Sequence, residues 1–303
     1  MKQSSVKSAR ATIGRFGEVG WFLPAGLLLL VVVCYPVART IELSFVHENL
    51  ANGFHAEFAG LENFRRILID SRFRNSLTVT GLFTIVSVAL EFLVGLLLAV
   101  SVDTLRRSRH AARVIFLVPW TLPTAVIAVL WAWIFNDQFG ALNMLLMRTG
   151  LIGAPIPWLG RPDTAMGAMI VADVWKTTPF VFLILLAGLQ NVPRDLYEAI
   201  EIDGGGPWVK FRRVTWPHLL PFAFAAVIFR AVQAFAIFDL VWVMTGGGPA
   251  GSTETISVYT YQTYMRYLDF GYGSALAIVT VLILAGVAAV LYRALITRYE
   301  RTF

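Results

Sequence analysis

Long apolar runs limit what this chain can become. Residues 21–44, 75–102, 114–135, 165–189, 218–245 and 270–296 are apolar stretches, each long enough to supply the ~20 residues that a bilayer-crossing helix needs. Backbone groups inside hydrocarbon must satisfy one another, so runs of this kind are restricted to helices. Composition points the same way: 57% of residues are hydrophobic and 15% charged, whereas a soluble domain is closer to half apolar and a quarter charged. The expected fold class is therefore all-α, a polytopic membrane protein of about six transmembrane helices. The first run is read as a span and not as a cleavable signal, because it is long and lacks a convincing small-residue cleavage site.

Basic residues give the orientation. Lys2, Lys7, Arg10 and Arg15 fall in residues 1–20, which are expected to form a cytoplasmic N-terminal segment. Arg106, Arg107, Arg109 and Arg113 follow the second run, Arg194, Lys210, Arg212 and Arg213 follow the fourth, and Arg293, Arg298 and Arg301 close the chain. The positive-inside rule then puts both termini in the cytoplasm. Residues 47–74 disagree, because they carry Arg65, Arg66, Arg72 and Arg74 although parity places them outside. Within them, residues 61–69 read as an amphipathic helix lying at the membrane interface. The net charge of +6 fits arginine-rich cytoplasmic edges better than a nucleic-acid partner. Cys34 is the single cysteine, so an intramolecular disulfide is excluded.

Between the fourth and fifth runs the pattern changes. Pro193 and Asp195 mark a helix start, and Leu196, Ala199 and Ile200 make an apolar stripe on an otherwise charged helix. Gly204, Gly205 and Gly206 stop it, and Pro207 starts another helix with Trp208 and Phe211 on its apolar edge. A striped helix pair with no partner nearby in sequence suggests docking into another protein.

The register Glu198-Ala199, then Asp203-Gly204, Phe211, Val214, Pro217 and Pro221 resembles the EAA loop of ABC-importer permeases that work with a substrate-binding protein. The resemblance implies a type I ABC importer permease fold with a cytoplasmic coupling helix-turn-helix over about residues 193–221, within a transmembrane domain of residues 21–303. It implies that Leu196, Glu198, Ala199, Ile200, Asp203 and Gly204 contact an ATPase subunit. The partners implied are a second homologous permease, an ATPase dimer that binds ATP and Mg, and an extracytoplasmic sugar-binding protein; no cofactor is expected in this chain. Ile200 and Gly205 stand where the family usually has Ala, and Trp216 where Leu is common, which puts the fit to a given ATPase in question.

Charges inside spans are the other signal, since each costs at least ~3 kcal/mol at mid-bilayer on insertion scales and normally faces protein or water. Asp173 and Lys176 stand three apart and are close enough to neutralise each other. Arg230, Gln233 and Asp239 fall in the fifth run. Together with Trp175 they are candidates for a substrate pathway. The competing reading is of paired groups that hold helices together, and for Glu91 that reading is preferred. Trp175 to Phe180, and Arg230 with residues 235–239, look like permeases for disaccharides such as trehalose or maltose. Pro119, Trp131, Phe135, Gly140 and Asn143 are similar to the family's third-helix pattern. The loop Gly246, Gly247, Gly248 and Pro249 lacks the Lys-Ser/Thr ending of a nucleotide-binding loop. It is similar instead to a loop of sugar permeases that contacts the binding protein or substrate.

Rival classes fare worse. An ion-coupled secondary transporter would use Asp173, Lys176 and Arg230 as a relay but leaves the EAA register unexplained. A membrane enzyme would need a polar catalytic cluster; His47, His55, His110 and His218 lack metal-ligand spacing, and no nucleophile sits beside a base. Inside the family, glycerol-3-phosphate is the alternative substrate, with Arg230 as its anion partner.

Overall fold

The computed structural model describes residues 24–104 and 109–302, with side chains over 24–104 and 113–293. The expected N-terminal segment of residues 1–20, and the side chains of Arg106, Arg107, Arg109, Arg298 and Arg301, lie outside the described residues. Among the described residues, five helices are long and apolar enough to cross a membrane: Pro24–Leu43, Ser71–Thr104, Pro162–Gln190, Pro207–Phe235 and Phe270–Arg293. Two shorter helices, Arg113–Thr121 and Thr124–Ile134, are long and apolar enough only when taken together and meet at 94°, as in a broken span or a re-entrant loop. Pro123 makes the break, because it lacks a helical N–H and disfavours the helical conformation in the residue before it, while Pro119 is accommodated inside the first piece. The expected third span is thus two pieces.

The chain divides into two units, one holding the described residues up to Leu68 with Thr263–Val279, the other Ile69–Gln262 with the described residues from Thr280 on. In the first, α1 (Pro24–Leu43) is followed by a two-residue hairpin, β1 (Val46–His47) against β2 (Glu57–Phe58), and then by α2 (Glu62–Ile69). Asn63, 2% exposed, ties α2 down by donating from Nδ2 to the carbonyls of Ser44 at 3.1 Å and Val46 at 2.9 Å.

The second unit is built on α3 (Ser71–Thr104) against α7 (Pro162–Gln190). A Cβ on Gly95 would lie 2.9 Å from Val181 Cγ1, so glycine there sets how closely the two helices approach. The bent pair, α4 (Arg109–Thr121) and α5 (Thr124–Ile134), leads to α6 (Ala141–Arg148) inside what reads in sequence as a plain loop. Asn143 accounts for that order: 2% exposed, its Oδ1 accepts from Ile156 N at 3.1 Å and Trp158 Nε1 at 2.9 Å. After α7 come α8 (Arg194–Ile202) and α9 (Pro207–Phe235), the latter passing through a wide turn at Phe211–Thr215. The fifth span is shifted towards the N-terminus of its expected range. It stops at Phe235, and Asp239 opens a separate helix, α10 (Asp239–Met244), followed by α11 (Ile256–Tyr261). Finally α12 (Phe270–Thr302) runs through both units.

Candidate functional site

Three spans meet at Arg230. Its Nε and Nη2 donate to the two carboxylate oxygens of Glu91 on α3 at 2.5 and 2.9 Å, and Nη2 also donates to Asp173 Oδ2 on α7 at 3.1 Å. Nη1 donates to Gln233 Oε1, three residues along α9, at 2.8 Å. Glu91 is fully buried, and Asp173 and Arg230 are each 3% exposed. Paired geometry of this kind lets ionised groups persist out of water, and loss of one member strands the others. Asp173 therefore bonds directly to Arg230, while Lys176, three residues on as its spacing suggests, attracts it only from beyond 4.0 Å. Glu91 is a full member of the cluster, which no local pattern could show because the contact joins residues 139 apart.

A cavity of about 310 Å³ opens beside this cluster. Arg230, Asp173 and Gln233 form one wall, and Lys176, Asp239, Trp120 and Phe238 are among the rest. Thr177 also lines it, its hydroxyl donating to the Asp173 carbonyl at 2.6 Å. Among the described residues, the side chains of Lys176 and Asp239 have no hydrogen-bond or ion-pair partner within 4.0 Å. The cavity thus offers an ammonium donor, a carboxylate acceptor and aromatic faces. Such a set suits a polyhydroxylated ligand, whose hydroxyls both donate and accept.

Trp175 does not join it. Adjacent helical residues point about 100° apart, and Trp175 lies instead on an apolar groove of about 570 Å³ with Leu90, Val94, Pro119, Trp131 and Pro179. Its ring meets Trp131 edge-on at 5.8 Å.

The charged segment forms the expected helix pair. Pro193 is the N-cap of α8 and not a first-turn residue, with its backbone extended. Gly204 takes the left-handed conformation at φ 75°, which an L side chain resists, and Gly205 N donates to the Ile200 carbonyl at 2.8 Å. The two faces of α8 then divide. Tyr197 bonds Thr215 at 3.0 Å, Glu201 pairs with Lys210, and Ile200 covers Gly205, so these three serve the pair itself. Leu196, Glu198, Ala199, Ile202 and Asp203 are left exposed. Ile200, half-buried over Gly205, consequently lies on the inner face of the pair and apart from the exposed residues. The sequence reading missed Ile202, 86% exposed, whereas Trp208, 70% exposed, stands on the apolar edge read for the second helix. It also missed a ring sequence leading away from this corner: Trp208 stacks on Phe211 at 5.9 Å, Phe211 meets Trp216 at 6.1 Å, and Trp216 meets Phe92 of α3 edge-on at 6.4 Å.

The loop of Gly246, Gly247, Gly248 and Pro249 is held from within. The amides of Gly246 and Gly248 donate to the carbonyls of Val241 and Thr245, and that of Gly247 to Thr245 Oγ1, so they make no open phosphate cradle. Gln262 Nε2 donates to the Gly246 carbonyl at 3.1 Å, while Arg72 donates to Glu254 at 2.8 and 2.6 Å and to Gln262 Oε1 at 2.6 Å. A second polar cavity, about 470 Å³, lies against Arg72, Asn75, Glu254 and the three glycines.

Several apolar helices, one pair bent at proline, a buried charge cluster beside a polar cavity and an exposed helix pair fit a multi-pass membrane transport component. The chain belongs to the family described as binding-protein-dependent transport system inner membrane components, whose profile matches residues 91–301. It is 38% identical to the sulfoquinovosyl glycerol transport system permease protein of Agrobacterium fabrum, over 91% of this chain and 89% of that one. It is 40% identical to the trehalose/maltose transport system permease protein of Thermococcus litoralis, over 85% and 86%. Among solved structures, a bacterial ABC transporter involved in the import of the acidic polysaccharide alginate superposes with a TM-score of 0.82 at 18% identity, covering 95% of this chain and 98% of that one. That likeness shows the fold.

Proposed function

We propose that this chain is the transmembrane permease subunit of an ATP-driven sugar importer, translocating a disaccharide such as trehalose or maltose that an external binding protein delivers. The observation that carries the substrate class is the occupancy of Arg230. Its guanidinium is bonded to two carboxylates and Gln233, leaving Lys176 and Asp239 to meet a ligand with one charge of each sign. A neutral polyol fits that balance. Among the described residues, glycerol-3-phosphate would have Lys176 as its one free cation in the cavity, against the like charge of Asp239, and fits it less well. The name of the trehalose/maltose relative supports the same substrate, and that of a trehalose transport system permease in Mycobacterium tuberculosis, 35% identical over 84% of this chain and 80% of that one, adds to it.

A second reading has its own support. Lys176 would meet a sulfonate, and a relative is named for sulfoquinovosyl glycerol. In either case residues 21–303 act as one transmembrane domain, with residues 193–221 as the coupling loop and both termini cytoplasmic. The exposed face of Leu196, Glu198, Ala199, Ile202 and Asp203 seats on an ATPase subunit, which binds ATP and Mg. Gly246, Gly247, Gly248 and Pro249 face the binding protein, and a second homologous permease completes the pore. The test is ATPase activity of the co-expressed complex in nanodiscs with its binding protein, against trehalose, maltose, glycerol-3-phosphate and a sulfonated glycoside. Stimulation by a neutral disaccharide is expected. Stimulation by the phosphate alone would overturn the substrate, and an intact complex without any ATPase would overturn the class.

A further inference from the structure

Helix α2 presents a face that its own unit does not use. Leu61, whose carbonyl accepts from Arg65 N at 3.0 Å as the helix begins, is 63% exposed. Leu68 is 78% exposed, and Arg65 between them is exposed and has no side-chain partner among the described residues. Spacings of four and three residues put the three on one side of the helix. The opposite side is fixed. Asn63 and Ile67 are each 2% exposed, Phe64 packs on Phe45 at 5.4 Å, and Arg66 bonds Asp269 at 2.9 Å with its guanidinium 3.9 Å from the Tyr272 ring centre. The direction of the free face is therefore set by the fold.

Its depth is set as well. Asn63 bonds the carbonyl of Ser44, the residue next to the end of α1, and Arg66 bonds Asp269, the residue before α12 begins. The 20 described residues of α1 cover about 30 Å, enough to reach across the hydrocarbon, and the exposed Arg39–Glu42 ion pair near its end belongs with water and headgroups. The end of α1 thus lies at the membrane boundary, and α2 is pinned there at two points. We propose that α2 lies in the phospholipid headgroup layer of the leaflet at which α1 ends. Leu61 and Leu68 enter the upper acyl region, and Arg65 rests its guanidinium on lipid phosphate oxygens. This seat is independent of what the protein transports.

Spin labels test it. In the full complex, reconstituted in vesicles containing phosphatidylglycerol, a label is attached at Leu61→Cys or Leu68→Cys on a Cys34→Ser background, with Glu62→Cys as the reference position. Power saturation compares collision with oxygen, which concentrates in lipid, and with a water-soluble nickel chelate. Both leucine positions are expected to favour oxygen, and the Glu62 position the chelate. Chelate-dominated collisions at both leucines would place the face in water. Protection from both reagents would place a protein on it, and either result overturns the proposal. Arg65→Glu should shift both leucine ratios towards the chelate; unmoved ratios would overturn the phosphate contact. If a label blocks assembly, Leu68→Trp is read by quenching with brominated phospholipid, and fluorescence quenched no more than in the unsubstituted protein counts against the seat.

Discussion

Ile200 lies over Gly205 so closely that a Cβ on the glycine would collide with Ile200 Cγ2. In sequence these two residues are separate departures from the alanines that the EAA-loop resemblance implies. In the structure they are one exchange, a larger side chain on the helix accepted by a smaller one in the turn. Gly205→Ala is expected to destabilise the helix pair by roughly 1–3 kcal/mol, as overpacking does, and Ile200→Ala in the same chain is expected to restore most of it. Thermal unfolding of the purified complex, carried through the double-mutant cycle, checks this. Additive losses would mean that the two positions are not coupled.

The outward face of α8 gives the next expectation. Glu198 and Ile202 are both exposed. Glu198→Lys and Ile202→Asp should therefore leave insertion and folding intact while weakening ATPase association by about tenfold or more, ~1.4 kcal/mol or above. Co-purification of the ATPase with each variant is the measurement. Normal recovery together with normal uptake would remove this face from the interface.

What could be read from the sequence follows the range of the forces involved. The apolar runs, the helix pair and α2 rest on local periodicity and on Pro and Gly signals, and the fold reproduces them. The end of the fifth span at Phe235 escaped because apolar residues continue beyond it into α10. Residues 136–164 read as a loop because the order of α6 depends on one buried side chain, Asn143, reaching thirteen residues ahead. In the site, Asp173, Lys176, Gln233, Arg230 and Asp239 do line one cavity, yet Trp175 points elsewhere and Glu91 enters through a contact between distant spans. Spacing along one helix names near neighbours, and ion pairs between helices lie beyond it.

The charge cluster changes what Arg230 variants should do. From sequence, Arg230→Ala alters uptake while the complex still forms. With two buried carboxylates bonded to this one guanidinium, its removal leaves both uncompensated, and losses of about 3–5 kcal/mol attend a broken buried pair. Arg230→Ala and Glu91→Ala are both expected to lower the melting temperature and the yield of assembled complex. Glu91→Gln, which keeps the shape and one acceptor oxygen, should lose less. Size-exclusion yield and thermal unfolding in nanodiscs decide it, and wild-type stability in Arg230→Ala would return the residue to the pathway alone.

Lys176 and Asp239 carry the opposite expectation. Neither has an ion-pair partner among the described residues, so removing either charge breaks no internal bond, and both line the cavity beside Gln233. A hydrogen bond from a charged group to a sugar hydroxyl contributes roughly 1.5–3 kcal/mol, which corresponds to about tenfold or more in affinity. Lys176→Met and Asp239→Asn should therefore raise the transport KM by about that factor, with yield and melting temperature close to wild type. The two variants also separate the substrate readings. For a neutral disaccharide both losses are comparable, because the hydroxyls use the donor and the acceptor alike. For a sulfonate, Lys176→Met would be much the more damaging, and Asp239→Asn would relieve repulsion and lower KM. Uptake of radiolabelled substrate into proteoliposomes, fitted for KM and kcat in each variant, distinguishes the outcomes. Wild-type kinetics in both variants would show that this cavity does not hold the substrate.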